Sequence, residues 1–497
     1  MLRFIFFFIC IASGIAVDLT CPANFITQNT PAGEFPAGGS ATFPANYNCT
    51  IKVCFINFIS VLHINFQFQI PVGSVVRLNI SNNLFFTTAD SFTIQDSFTN
   101  MNSNSRIHVT NSLFYLPATT GSIQLKTFSN TTQFYFKWQY IDVTGFPKIQ
   151  KPTGINSIMS LNLTANTRYQ FTSTQGQVAF HTGSVSGYRD QNLEKIYVYD
   201  GEDLNAKFLG NLYVFTDKEY VSTGKSLTLV NFYGSPVPSY GIANDYAAIS
   251  GYDGYSFFVL RNAIEYFTGV TSKAGKESAI TVYAIDWDES YIDYIAFKNP
   301  NKTGQEVRVN PMTPSETSEQ LLTYNVQDFS LNQLPQQILT RIFTVKVYQS
   351  DVYLGIWSRP WPKWNNVIAG RTGWIYSPSI WNPRTLVVPQ YLNTFNSFAM
   401  VKFTFDVFGV TIGTPGDILK VGVNSLDSFA LTFNQTTKDT REKDASGTSM
   451  TTSFTGTWHS SSFVMQFLVK DYVETTTKSA GKIFDLLVVV LIALKIL

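Results

Sequence analysis

The chain is 497 residues long and nearly neutral, at a formal +1, with 14% charged and 15% aromatic residues. This length suffices for three or four domains with cores of their own. Near-neutrality leaves no basic footprint for nucleic acid or anionic lipid, and the abundance of Phe, Tyr, Thr, Val, Ile, Asn and Ser favours strands and turns over helices.

At the N-terminus, Arg3 precedes the apolar run Phe4–Ile11 and then Ala12, Ser13 and Gly14. The pattern is that of a secretory signal peptide over residues 1–16, cut after Ala16, which places the mature chain in an oxidising compartment. Further on, Val53–Gln67 carries no formal charge and is crowded with Phe, Ile and Asn. It is too short for a membrane-spanning helix, and as an inserted edge hairpin it would be an aggregation hazard. Its removal joins NCTIK to FQIPVGSVVRL in clean alternation. Two readings stand: a translated intron, whose borders Val-Cys and Asn-Phe-Gln can be encoded as splice sites, or a true strand insertion.

Short alternating runs then recur: QLKTF, FYFKWQY, KIYVYD, SLTLV, YSFFVL, FTVKVY and VKFTFDV. Separated by Gly, Pro, Asn and Ser clusters, they predict an all-β protein of β-sandwiches. An acidic residue followed by a strand and a closing Asp or Asn appears at Asp90–Asp96, Glu194–Asp200, Asp293–Asn299 and Asp417–Asn424, each followed later by an aromatic-rich strand. A repeat of about one hundred residues fits one sandwich per copy. The expected domains are 17–145, 150–262, 263–355 and 356–474.

N-x-[ST] sequons fall at Asn79, Asn130, Asn162, Asn301 and Asn434, the expected glycosylation sites, and at Asn48, whose middle residue is Cys49. At the C-terminus, the apolar run Leu486–Leu497 has twelve residues, short of the ~20 that span a bilayer. Ser479, Ala480 and Gly481 precede it, so residues 475–497 read as a GPI-attachment signal with Ser479 as the lipid-bearing residue. A tail helix or a secreted form is the alternative.

The segment CPANF…GEFPAGGSATFPANYNCTIK resembles the opening of the nematode CUB-like domain family, and KIYVYDGEDLNAKFLGNLY…STGKSLTLV carries Tyr-Asp-Gly, Leu-Gly and Ser-Leu-Thr-Leu elements of the wider CUB fold. The resemblance is good over residues 21–142, fair over 160–262 and slight beyond. It implies tandem CUB-like jelly-roll sandwiches, secreted or GPI-linked, often intestinal and induced by infection. It implies no ligand. Cys21 and Cys49 resemble the family's first disulfide pair, and closing that loop contributes ~3 kcal/mol. Calcium-type positions are incomplete: Glu194 stands where the wider fold has Asp, and the first domain offers Asp90 alone. Asp286, Asp288, Glu289 and Asp293 form either a hard-cation cluster or, the favoured reading, a solvated acidic strand end.

Catalytic chemistry is not apparent. His63, His108, His181 and His459 lack metal-ligand spacing, and none lies beside a recognisable nucleophile. YVSTGKS has Glu219 where a P-loop requires its first glycine, and GSVSG has Val185 where a nucleophile elbow requires serine. No catalytic residue, metal or cofactor is expected. The segment WSRPWPKWNNVIAGRTGWIYSPSIW gathers Trp357, Trp361, Trp364, Trp374 and Trp381. It reads either as a junction between the third and fourth domains or as a platform for sugar or lipid with Arg359 or Lys363 beside it. The expected function is non-enzymatic recognition or adhesion at an epithelial surface, with the role in innate defence that the resemblance implies. Its ligand would be a glycan, lipid or protein, and a lipid anchor would hold it at the membrane. A structural surface coat is the alternative, and a hydrolase with an unrecognised site the third reading.

Overall fold

The computed structural model describes residues 19, 26–49, 66–84, 89–96, 100–101, 109–183, 190–214, 219–261, 265–300, 303–316, 319–384, 390–424, 429–456 and 460–473. The expected leader 1–16, the tail 475–497 and residues 53–65 of the uncharged segment lie outside them. The expected all-β class holds: the described α-helices are single turns, such as Tyr246–Ile249 and Pro378–Trp381. The alternating runs became strands because period-two burial suits a pleated sheet with one face in a core. FYFKWQY follows this pattern in Gln133–Asp142, whereas KIYVYD and SLTLV form the strands Ile196–Asp200 and Ser226–Asn231, which are buried on both faces.

The chain divides into two compact units, residues 1–259 with 313–317, and residues 260–312 with 318–497. The first unit begins with two sheets. One has the order Ala32–Phe35, Gln133–Asp142, Ser74–Asn82, Val109–Leu116, with Ala41–Thr42 also on Gln133–Asp142. The other runs Asn48–Cys49, Thr120–Lys126, Ser91–Asp96, Asn100–Met101, with Phe66–Gln69 also on Thr120–Lys126. Their core is aromatic, built on Phe35, Phe43, Phe68, Phe92, Phe134 and Phe136. The next two sheets pair Lys148–Pro152 in parallel with Arg168–Thr172 and otherwise run antiparallel around Phe171, Phe180, Leu227 and Leu229. A further cluster, including Val75, Tyr115, Tyr197, Phe208 and Phe232, joins these two halves of the first unit.

In the second unit, one sheet contains Glu277–Ala284, Ile342–Tyr348, Glu306–Pro311 and Leu322–Asn325 in that order. A second sheet has the order Glu265–Thr271, Asp351–Trp357, Ser290–Phe297, Gln336–Ile338. The C-terminal part holds one six-stranded sheet: Thr372–Tyr376, Ser462–Asp471, Gln390–Thr411, Thr437–Thr455, Ile418–Asn424, Phe429–Phe433. Its long strands break register between Asn396 and Val401 and between Phe405 and Val407. Such irregularities bend a strand, and residues from both halves of the sheet meet in one core with Phe395, Phe403, Phe454 and Phe467.

Trp364 and Tyr291 belong to that same core, so this sheet and the preceding sandwich share a buried junction. Arg371 lies in the junction and donates to the carbonyls of Asn332 (3.0 Å), Thr372 and Pro335. Its guanidinium sits 5.5 Å from the ring centres of both Trp364 and Phe467. Burial pushes this guanidinium down to about 10, so it stays charged at neutral pH.

Candidate functional site

The strand Asp351–Trp357 reads VYLGIW after its first residue, and its alternation is strict. Val352, Leu354 and Ile356 are fully buried, which turns Tyr353, Gly355 and Trp357 to the opposite face. Register then sets three rows across that face. Trp357 lies between Glu265 and Tyr291, Gly355 between Phe267 and Tyr294, and Tyr353 between Gly269 and Ala296. Same-face rows are about 7 Å apart along a strand and neighbouring strands about 4.8 Å apart. Phe267, Tyr294 and Tyr353 are 59%, 40% and 45% exposed, unusual for large rings on the outside of a sandwich. The Phe267 and Tyr294 rings meet edge to face at 5.9 Å.

A β-bulge shapes the centre of this face. Ile292 opposes Ile356 and Tyr294 opposes Gly355, so Asp293 is the extra residue. The bulge brings Tyr291 and Tyr294, three positions apart, to the same side, and re-aims the Asp293 carboxylate over Gly355. A Cβ placed on Gly355 would lie 3.1 Å from Asp293 Oδ1, 3.1 Å from Glu265 Oε1 and 2.7 Å from Tyr294 Cβ. Glycine is therefore required beneath the point where the two carboxylates converge. Burial, then the charge of Glu265 and its hydrogen bond, push the Asp293 carboxyl up to about 6, with Lys363 working against them.

One end of the face is closed by the Trp357–Trp361 pair, whose ring centres lie 3.9 Å apart at an interplanar angle of 36°. The Arg359 guanidinium is 5.0 Å from the Trp357 ring centre and Lys363 Nζ is 5.0 Å from that of Trp361. At the other end, Lys298 Nζ sits 4.6 Å from the Tyr353 ring centre and pairs with Asp351 at 2.8 Å. Cationic groups thus lie against rings at both ends, an arrangement that is favourable in itself.

The five tryptophans do not share one surface. Trp364 is buried at the junction, its ring 6.3 Å from that of Tyr291. Trp381 is buried edge-on to Tyr376, and Trp374 is half-buried, stacked at 6.0 Å on Tyr376. Trp357 and Trp361 pack against the edge of the junction core that holds Trp364, at one end of the aromatic face. Sequence reasoning did not find Glu265, Phe267, Tyr294 or Tyr353. Their signal was legible in DVYLGIW, with Val, Leu and Ile on one side and Tyr, Gly and Trp on the other, and in YIDY, where two tyrosines three apart betray a bulge.

Of the remaining residues, Asp288 pairs with Arg341. Glu289 accepts from the Tyr291 hydroxyl at 2.8 Å and from Gln337 Nε2 at 3.0 Å. Together with Asp293 turned toward Gly355, these acids are dispersed, and among the described residues no three metal-ligating side chains converge. His181 Nε2 lies 3.6 Å from Glu219 Oε2. YVSTGKS runs from the strand Tyr220–Val221 directly into the strand Ser226–Asn231. Asn130, Asn162 and Asn434 are exposed, and Asn79 is half-buried within the strand Ser74–Asn82. Cys49 pairs by backbone with Leu125. Cys21, the Cys49 side chain, Asn301, Ser479, His63, His108 and His459 lie outside the described residues.

Residues 16–144 match the family described as CUB-like domain. No curated protein matches the chain. Among solved structures, it is similar to the CUB1-EGF-CUB2 domains of rat MASP-1, at 10% identity over 44% of this chain and 100% of that one, with a TM-score of 0.17. The full extracellular region of zebrafish Gpr126/Adgrg6 matches at 10% identity over 69% of this chain and 53% of that one, with a TM-score of 0.18. A β-porphyranase of glycoside hydrolase family 86 from the human gut bacterium Bacteroides plebeius matches at 9% identity over 43% and 36%, with a TM-score of 0.10. Similarity at this level carries no argument about function.

Proposed function

We propose that the chain is a non-enzymatic extracellular protein of recognition or adhesion, held at an epithelial surface by a GPI anchor and acting in innate defence. The observation that carries the recognition reading is the exposed aromatic face over Gly355, in a chain whose residues 16–144 match the CUB-like domain. Exposed aromatic clusters on soluble proteins mark interaction surfaces, because leaving such area in water is unfavourable. Several weak contacts along one tethered chain gain strength through effective concentration.

The test is binding of the recombinant ectodomain to epithelial and microbial cell surfaces. Saturable binding is expected. Absence of binding, combined with concentration-dependent self-association, would instead favour a structural coat. Phospholipase treatment of expressing cells is expected to release the protein, and retention would count against the anchor.

A further inference from the structure

We infer that the face centred on Gly355 binds an uncharged, extended oligosaccharide, with its rings on the exposed Phe267, Tyr294 and Tyr353 and its hydroxyls donating to the carboxylates beside Gly355. This rests on the reading of that face as the ligand surface.

Three features select this chemistry. First, the exposed rings Phe267, Tyr294 and Tyr353 occupy successive rows along the outer face of the sheet rather than the wall of a closed pocket. A flat ladder suits a chain of rigid rings that present apolar C–H faces. Second, the hydrogen-bond acceptors sit among the rings and not at the rim. Glu265 Oε1 and Asp293 Oδ1 converge over Gly355, so two carboxylate side chains lie among the rings. An acyl chain or an apolar side chain laid there would bury acceptors without donors, which is costly. A polyhydroxylated ring brings both an apolar face and hydroxyl donors. Third, the charges balance: Glu265, Asp293 and Asp351 stand against Lys298, Arg359 and Lys363. A polyanion or a polycation finds no complementary field over such a surface.

The recombinant ectodomain is titrated with neutral glucan, mannan and chitin oligosaccharides, with heparin fragments, and with phosphatidylcholine–phosphatidylserine vesicles. At least one neutral oligosaccharide is expected to bind. The double variant Phe267→Ala, Tyr353→Ala is expected to weaken that binding by about tenfold or more. Both residues are exposed, so the variant should keep the wild-type Tm. Phe128→Ala, at an equally exposed ring on the first sandwich, should leave binding unchanged. Oligosaccharide binding that survives the double variant overturns the assignment of this face and leaves the recognition reading standing. Vesicle or heparin binding lost in the double variant, without oligosaccharide binding, overturns the ligand class while supporting the face. If no probe binds, the oligosaccharide inference falls, and cell-surface binding decides the recognition reading separately.

Discussion

Asp293 shows how one extra residue in a strand changes chemistry. Without the bulge, alternation would turn residue 293 toward the face of Tyr291 and send Tyr294 inward with Ile292. With it, Tyr294 joins Tyr291 on that face and the Asp293 carboxylate lies there beside Glu265 over Gly355, where burial together with Glu265 raises its pKa to about 6. The folded-state value stands above the unfolded one of ~3.9. The contribution to stability is therefore fully present below the unfolded value and is lost as pH rises through about 6. At this half-exposed site, solvent screening leaves a cost of ~1 kcal/mol at neutral pH. Asp293→Asn should accordingly stabilise the chain at pH 7.5 relative to wild type and lose that advantage at pH 4. Melting curves at the two pH values test this, and an equal shift at both would show that the repulsion is absent.

At the scale of elements, the acid-plus-strand repeat noticed in the sequence has a mechanical meaning in two of its copies. Asp90, directly before the strand Ser91–Asp96, accepts from the Ser129 and Thr132 hydroxyls and from the amides of Phe128 and Ser129, the last at 3.0 Å. Those residues lead into the strand Gln133–Asp142. Asp417, directly before Ile418–Asn424, likewise accepts from the Ser461 hydroxyl just before Ser462–Asp471. In each case one buried carboxylate clamps the loop that delivers a later strand to its sheet. Burial works to raise the Asp90 pKa, but the four hydrogen bonds outweigh it and hold the carboxyl below its ordinary value. This stabilisation is present above the unfolded pKa of ~3.9 and is lost as pH falls through the lower folded value. Asp90→Asn should cost ~1–3 kcal/mol at pH 7, with the deficit shrinking below pH 4. Denaturant unfolding at both pH values tests it, and a neutral substitution at pH 7 would remove the clamp.

For the whole molecule, the consequential feature is that cores are shared beyond single sandwiches. In the first unit, Tyr197 is fully buried in the cluster that joins its two halves. Its ring lies 5.5 Å from that of Phe232, and its hydroxyl is 3.3 Å from the Tyr233 hydroxyl. Removing such a ring costs ~3 kcal/mol or more, through lost transfer free energy and the cavity left behind. Tyr197→Ala should lower hydrogen-exchange protection in Ser74–Asn82 and in Ile196–Asp200 together, because both strands border this cluster. Loss confined to Ile196–Asp200 would mean that the halves unfold independently. Arg371 plays the corresponding part inside the second unit, where a planar guanidinium bonded to three carbonyls fills a space that a lysine cannot satisfy.

How much of this was readable before folding follows from the range of the forces involved. Strand identity is a local property: period-two alternation of apolar residues selects a pleated, half-buried conformation, and QLKTF and FYFKWQY declared the all-β class unaided. The opening motifs likewise indicated the CUB-like domain over the first sandwich. The candidate site is another matter, since Glu265, Asp293 and Gly355 are distant in sequence and meet only through strand register. The tryptophan segment illustrates the same divide. Composition alone marked it as an aromatic cluster, but which rings face water depended on the sheet against which each one packs. Trp364 went inward among Tyr291, Phe395 and Phe467 and Trp381 against Tyr376, while Phe267 and Tyr353 remained exposed on the outer side of their sheet.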